Sequence, residues 1–154
     1  MMQSNEHDIS VVNSLITTTI DSANGFERSA EDADVPQFVE MFRSFSGERR
    51  QVVGMLQEHV RKLGGTPNDD GSLKASLHRR FVDLRDAISK GGDKAIIEEV
   101  ERGEDYLKSK YDAALEDGRL SAETQAVIRE AYQSVRAGHD RASALKHGMQ
   151  SAGA

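Results

Sequence analysis

The chain has 154 residues, with 26 acidic against 20 basic side chains and a net charge of -6. This length fits one domain and is sufficient to bury a hydrophobic core without metal or disulfide crosslinks. The absence of cysteine excludes disulfides, thiolate metal sites and cysteine nucleophiles. The acidic balance argues against binding to nucleic acid and to anionic membrane surfaces, because both attract clustered Lys and Arg.

The composition also bears on where the protein resides. No stretch approaches the roughly 18 apolar residues of a membrane span, and residues 1–8 lack the basic and apolar regions of a signal peptide. A chain without cysteine suits a reducing compartment, so we expect a cytoplasmic protein. Two prolines and 30% charged residues are typical of long, solvated helices.

The first half of the chain predicts two long helices. Apolar residues recur at helical spacing over residues 8–32, with Asp8 as the expected N-cap. The Ile-, Val- and Thr-rich start of this segment also allows a strand, but the apolar stripe is too long for one. Asp34 is expected to cap the second helix, with Pro36 in its first turn. Gly64-Gly65 is expected to end that helix, because glycine adopts the left-handed conformation without strain.

The second half predicts a short helix and two more long ones. Ser72–Lys90 has a shorter helical stripe, Asp93 is the expected cap of the third long helix, and Ser121 that of the fourth. The connections within the first and last pairs are short, whereas residues 64–93 can return along the bundle. We therefore predict an all-α, ferritin-like antiparallel four-helix bundle, with one long crossover that contains a shorter fifth helix.

The domain boundaries follow from the same pattern. We expect one bundle over residues 8–147, preceded by a flexible N-terminus (1–7) and followed by a flexible C-terminal tail (148–154), which is small and polar.

Polar residues interrupt the apolar stripes at positions that should face the core. The acidic residues and the histidine among them are Asp21, Glu27, Glu48, Glu101, Glu104 and His139. A buried charge must pair, bind an ion or reach water, because an unpaired one is costly. One hypothesis is a site for iron or manganese built from these six residues. The other is a buried ion-pair network, with basic partners Arg49, Arg50 and Arg102.

Glycines lie at similar depth in the predicted helices, at Gly25, Gly47, Gly54, Gly103 and Gly138. Each one inside a helix costs about 1 kcal/mol relative to alanine. Two explanations remain open, namely close approach of neighbouring helices and room for a side chain or an ion.

The sequence resembles a bacterial family of uncharacterised four-helix-bundle proteins in the ferritin-like superfamily, from about Ile9 to Leu145. The residues that show this resemblance are Ala30-Glu31, Leu63-Gly64-Gly65-Thr66-Pro67, Leu77-His78-Arg79, Glu98-Glu99-Val100-Glu101-Arg102-Gly103-Glu104-Asp105 and His139-Asp140. The run with Arg102-Gly103 is the most specific of them. The resemblance implies a ferritin-like helical bundle and brings no established activity, substrate or cofactor.

The ligand pattern of ferritin-like di-iron proteins is not present. Such sites take a Glu from each of two helices and a Glu-x-x-His from each of the other two. None of the five histidines has Glu, Asp or His three or four residues away on either side, and Arg136 precedes His139 by one turn. A metal site would therefore need carboxylates with one histidine.

Two functional hypotheses follow. The first is a non-catalytic bundle that acts through protein association, with a homodimer as the expected oligomer and no cofactor. The second is a di-iron or di-manganese bundle with oxidase or storage activity. A stress-related role is an analogy with the superfamily.

Overall fold

The computed structural model describes residues 2–33, 35–71, 84, 86, 88 and 93–152. These residues contain no strand and form four long helices, which are α1 (Met2–Asp32), α2 (Pro36–Lys62), α3 (Asp93–Leu115) and α4 (Ala122–Ala152). The all-α prediction is therefore confirmed for the described part of the chain, and the Ile-, Val- and Thr-rich start of the first segment is helical.

The four helices contact one another around a square. Helix α1 lies against α2 and α3, and α4 lies against the same two helices. On one side, Thr19 of α1 contacts Tyr111 of α3, while His7 contacts Asp117 just beyond the end of α3. Because residue numbers rise along α1 as they fall along α3, these two helices are antiparallel.

The pair α2 and α4 is antiparallel for the same reason. Arg141 of α4 donates a hydrogen bond to Glu48 (2.7 Å), and the side chains of Thr124 and His59 are 2.8 Å apart. The short connections make the pairs α1–α2 and α3–α4 antiparallel as well. It follows that α2 and α3, which both oppose α4, run in the same direction.

The start of α1 differs from the prediction. The helix begins at Met2, so Asp8 is not its N-cap; it lies within α1 and is almost completely buried. Its carboxylate instead accepts a hydrogen bond from the Ser121 hydroxyl at the start of α4 (2.7 Å). Ser121 accepts one from the backbone N–H of Thr124 (3.2 Å), which confirms Ser121 as the cap of α4.

The predicted end of α2 is confirmed in detail. Gly64 has a φ of +87°, the left-handed region that favours glycine. Its N–H bonds to the carbonyl of Arg61, and the N–H of Gly65 bonds to that of Val60, both at 3.0 Å. This is a Schellman motif, which satisfies carbonyls that the helix end would otherwise leave unpaired.

Some predictions fall outside the described residues. They include Asp34 as a cap and most of the predicted fifth helix, of which Leu84, Asp86 and Ile88 have helical backbone. Helix α2 begins at Pro36, and its N-cap position is Val35, which makes no side-chain capping bond. The flexibility of the two chain ends stays a prediction.

The segment that follows α2 is bound to α1. The Asn5 side chain donates a hydrogen bond to the Leu63 carbonyl (3.2 Å). Further along, the Asn13 side chain accepts one from the backbone N–H of Asn68 (2.8 Å). Residues 63–68 therefore run back beside α1, from near its start towards its middle.

The described residues of the core form two apolar clusters. The aliphatic cluster lies towards the start of α1 and comprises Val12, Leu15, Ile16, Ile20, Val52, Val53, Leu56, Val60, Leu107, Tyr111, Ala114, Leu120, Ile128, Ala131 and Val135. The aromatic cluster lies towards the end of α1 and comprises Phe26, Ala30, Phe38, Phe42, Phe45, Leu84, Ile96, Ile97 and Val100. We call the level between the two clusters the waist of the bundle.

The described surface exposes few large apolar side chains. Among the described residues, Val35 is the one large hydrophobic side chain that is exposed. No helix in this part of the chain is both long and apolar enough to span a membrane.

Candidate functional site

A buried ion pair crosses the waist of the bundle. The Arg49 side chain of α2 donates a hydrogen bond from Nη2 to Oε2 of Glu104 on α3, and both side chains are 0% exposed. Along each helix the pair is flanked by apolar residues one turn away on either side, Phe45 and Val52 on α2 and Val100 and Leu107 on α3. The pair therefore lies where the aromatic cluster ends and the aliphatic cluster begins.

Burial affects the ionisation of this pair. Desolvation raises the pKa of Glu104 above its ordinary value, and the Arg49 guanidinium acts in the opposite direction. The guanidinium cannot release its proton in a protein, and among the described residues the Glu104 carboxylate is the counter-charge that it contacts. Removal of either partner would leave a charge buried without compensation.

Gly138 of α4 makes room for this pair. A Cβ atom at this position would lie 2.6 Å from Arg49 Nη2 and 2.8 Å from Glu104 Oε2. By contrast, Gly47, Gly54 and Gly103 have nothing within 4 Å of such an atom. Of the glycines compared, Gly138 therefore fits the explanation that a glycine leaves space for side chains.

Two of the predicted acidic residues lie in surface ion pairs. Glu27 contacts Arg50 at 2.5 Å, and both are exposed. Glu48 accepts from Arg141 at 2.7 Å, and the Arg141 guanidinium lies 4.7 Å from the centre of the Phe45 ring. Arg141 therefore covers the edge of the aromatic cluster while it pairs with an acid.

The remaining three predicted residues are placed differently from one another. Asp21 is buried beside Gly71, where a Cβ atom would lie 2.2 Å from the Asp21 carboxylate. Glu101 is half-buried on α3. His139 is partly buried and contacts Asp105 at 2.5 Å. His139 lies near enough to Glu104 for its charge to favour the Glu104 carboxylate, although no hydrogen bond joins the two.

These positions do not fit a metal ion. Within residues 2–33, 35–71 and the other described parts, no three His, Asp or Glu side chains are grouped closely enough to hold one. Glu104 faces a guanidinium, which repels cations, and Glu27 and Glu48 already pair with arginines. The predicted iron or manganese site stays a prediction, and this arrangement does not support it.

Of the three arginines predicted for the ion-pair network, Arg49 alone is buried. Arg50 and Arg102 lie at the surface, where Arg50 contacts Glu27 and Arg102 contacts Glu99. The reason is geometric, because consecutive residues on a helix point about 100° apart at 3.6 residues per turn. When Arg49 faces the core, Arg50 cannot.

A second buried contact lies within the aliphatic cluster. The hydroxyls of Tyr111 and Thr19 are 2.7 Å apart, and Thr19 also donates to the carbonyl of Leu15 (2.7 Å). Since Thr19 has one proton to donate, Tyr111 is the donor to Thr19. Burial raises the pKa of Tyr111 to about 12, which the Thr19 hydrogen bond and the Arg49 charge only partly oppose.

Asp8, Thr124 and His59 form a polar cluster at one end of the bundle, which was not predicted from the sequence. The Thr124 hydroxyl donates to Asp8 (2.7 Å) and accepts from Nε2 of His59 (2.8 Å). The only signal was that His59 lies on the apolar stripe of α2, three residues after Leu56. A hydroxyl between an imidazole and a carboxylate resembles an activated nucleophile. Thr124 is 0% exposed, so its hydroxyl connects helices and is closed to substrates.

A shallow pocket of about 330 Å³ lies on the outer face, between α1, α2 and the segment that follows α2. Its lining has side chains of both charges and two apolar residues, and comprises Ile20, Asn24, Arg50, Val53, Gln57, Asp69, Asp70 and Gly71. This volume is at the lower end for small-molecule sites. Arg50 is already bonded to Asn24 and Glu27 there.

Gly138→Ala should destabilise the protein. Alanine favours helix by about 1 kcal/mol over glycine, but here its Cβ would displace the buried pair, so we expect a net loss of about 1–3 kcal/mol. Gly103→Ala is the matched control, because its Cβ meets nothing within 4 Å. That variant should gain up to about 1 kcal/mol. Urea unfolding measures both, and equal gains in the two variants would contradict the close approach at Gly138.

Glu104→Leu should cost about 3–5 kcal/mol of stability, because it leaves the Arg49 charge buried and unpaired. The double variant Arg49→Met/Glu104→Leu removes both charges and should recover most of this loss. Glu27→Gln, which breaks the exposed pair with Arg50, should change stability by less than about 1 kcal/mol. A double variant as unstable as Glu104→Leu would show that charge burial is not the cause.

Alkaline pH should destabilise the fold through Tyr111. Its pKa is 10.0 in the absence of the fold and about 12 in the structure, so the unfolded chain releases this proton first. Stability should therefore fall as pH rises above 10, by up to about 3 kcal/mol near pH 12, at about 1.4 kcal/mol for each pKa unit. Tyr111→Phe should lack this loss of stability above pH 10, and Tyr106→Phe should retain it. Urea unfolding at several pH values measures both. Equal pH dependence in both variants would contradict the assignment.

Comparison with known proteins identifies the family to which these residues belong. A search of curated proteins found no match. A family model described as a domain of unknown function (DUF2383) matches residues 8–117, a span that starts at the buried Asp8 and contains both partners of the waist ion pair. This match covers more than half of the 154 residues. The chain therefore belongs to the DUF2383 family.

Proposed function

We propose that this protein is a non-catalytic, ferritin-like four-helix bundle that acts through protein association, first of all as a homodimer. In its core, a buried ion pair takes the position of a metal centre. The observation on which the proposal depends is the buried pair of Arg49 and Glu104.

The directions of the helices support the ferritin-like topology. Helices α2 and α3 run the same way, so the chain between them must return along the bundle. Residues 63–68 begin this return beside α1. Leu84 and Ile88 pack in or against the aromatic cluster, which lies at the other end. One long crossover accounts for all three observations.

Ferritin-like proteins place carboxylates from facing helices around two metal ions in the core of the bundle. Here the facing groups from α2 and α3 are a guanidinium and a carboxylate. Arg49 supplies the positive charge that a metal ion would otherwise supply to Glu104. Gly138 accommodates this pair closely. These features favour a structural role for the waist.

A bundle whose central level is occupied by a buried ion pair acts through its outer surface. The described surface is rich in ion pairs, including Glu27–Arg50 and Glu48–Arg141, and has one exposed large apolar residue. Obligate dimers bury extensive hydrophobic surface, whereas reversible complexes use polar surfaces. We therefore expect an association that is reversible and weakened by salt.

The test measures metal content and mass on the same full-length chain. Protein is expressed with added iron and manganese, purified without chelator, and assayed for metal per chain. Light scattering coupled to size exclusion then gives the mass over a range of protein and salt concentrations. We expect sub-stoichiometric metal and a dimer that dissociates on dilution or in high salt.

Two results would contradict the proposal. Stoichiometric iron or manganese that is lost in Glu104→Gln but retained in Glu27→Gln would favour the metal-binding alternative. A monomer at every concentration, together with no partner in pull-downs, would exclude association.

A further inference from the structure

The waist ion pair leaves three buried polar atoms without a partner. Arg49 Nε, Arg49 Nη1 and Glu104 Oε1 make no hydrogen bond to any described residue, although both side chains are 0% exposed. More than nine in ten buried polar groups in native proteins have a partner. An unsatisfied buried polar atom destabilises the fold, so three such atoms at one level require an explanation.

The nearest residues on the same face of α2 and α3 do not supply these partners. The residues one turn away on α2 and α3 are Phe45, Val52, Val100 and Leu107, which have no polar side-chain atoms. A small molecule from outside the chain would supply the missing partners.

The charges of the pair determine the class of this molecule. The guanidinium repels a cation and the carboxylate repels an anion, whereas the pair as a whole is neutral. Nε–H and Nη1–H need an acceptor, and Oε1 needs a donor. Neutral molecules that both donate and accept satisfy these needs. Water does so, and it is the smallest such molecule.

We propose that the waist is a hydration site, in which ordered internal water bridges Arg49 and Glu104 on the sides where they do not contact each other. Buried waters of this kind make two to four hydrogen bonds to polar groups that would otherwise be unpaired. The ion pair and its water form one polar layer between the aromatic and aliphatic clusters. This inference does not depend on the proposed function, because a hydrated pair suits an associating bundle and any other role.

A crystal structure of the full-length protein, at a resolution that shows ordered water, tests the site directly. We expect at least one buried water within hydrogen-bond distance of Arg49 Nε or Nη1 and of Glu104 Oε1. A dry waist, in which the guanidinium and the carboxylate form two parallel hydrogen bonds, would overturn the proposal. This measurement needs no variant.

Nuclear Overhauser contacts between water and the Arg49 Nε proton test the same site in solution. We expect a contact with the sign of long-lived water in the wild-type protein. It should remain in the matched surface variant Arg50→Met/Glu27→Leu, which removes an exposed pair of the same two residue types. Loss of the contact in that variant, or its absence from the wild type, would count against internal water at the waist.

Discussion

The buried ion pair of Arg49 and Glu104 constrains the rest of the bundle. Two opposite charges at 0% exposure require each other, because either one alone would lie in an apolar interior without compensation. They come from α2 and α3, which are diagonal to each other in the square of helices. A pair between diagonal helices fixes the axial position of one relative to the other. It also requires α4 to present Gly138 at that level.

The ion pair at the waist divides the core into two parts. Apolar residues fill the space on both sides of the waist, and the two clusters differ in character, with phenylalanines towards the end of α1 and aliphatic residues towards its start. A shift of one helix by a single turn would place Arg49 or Glu104 among apolar side chains without its partner. The pair thus contributes to the specificity of helix register, as buried polar groups do in some helical assemblies.

Polar contacts at the end of the bundle complement this central constraint. Asp8 of α1 accepts hydrogen bonds from Ser121 and Thr124 at the start of α4, and Thr124 also contacts His59 of α2. Three helices therefore meet through one carboxylate and one hydroxyl. The segment after α2 is held beside α1 by Asn13 and Asn68, so the chain turns back at this end. The motif Leu63–Pro67 of the family resemblance thus has a structural role in leaving α2 and starting the return.

The helices and the end of α2 at Gly64 could be predicted from the sequence, because apolar spacing and glycine conformation are local properties. The presence of a charged residue on the core face of α2 and α3 could be predicted as well. The pairing of Glu104 with Arg49, and not with Arg50 or Arg102, could not, because it depends on the rotation of two helices about their axes. Asp8 shows the same limit, since its partner Ser121 lies 113 residues away. Local patterns along the chain thus indicate which segments are helical and which faces are apolar. Which charges meet depends on the distances between helices that are far apart in the chain, and local patterns carry no information about those distances.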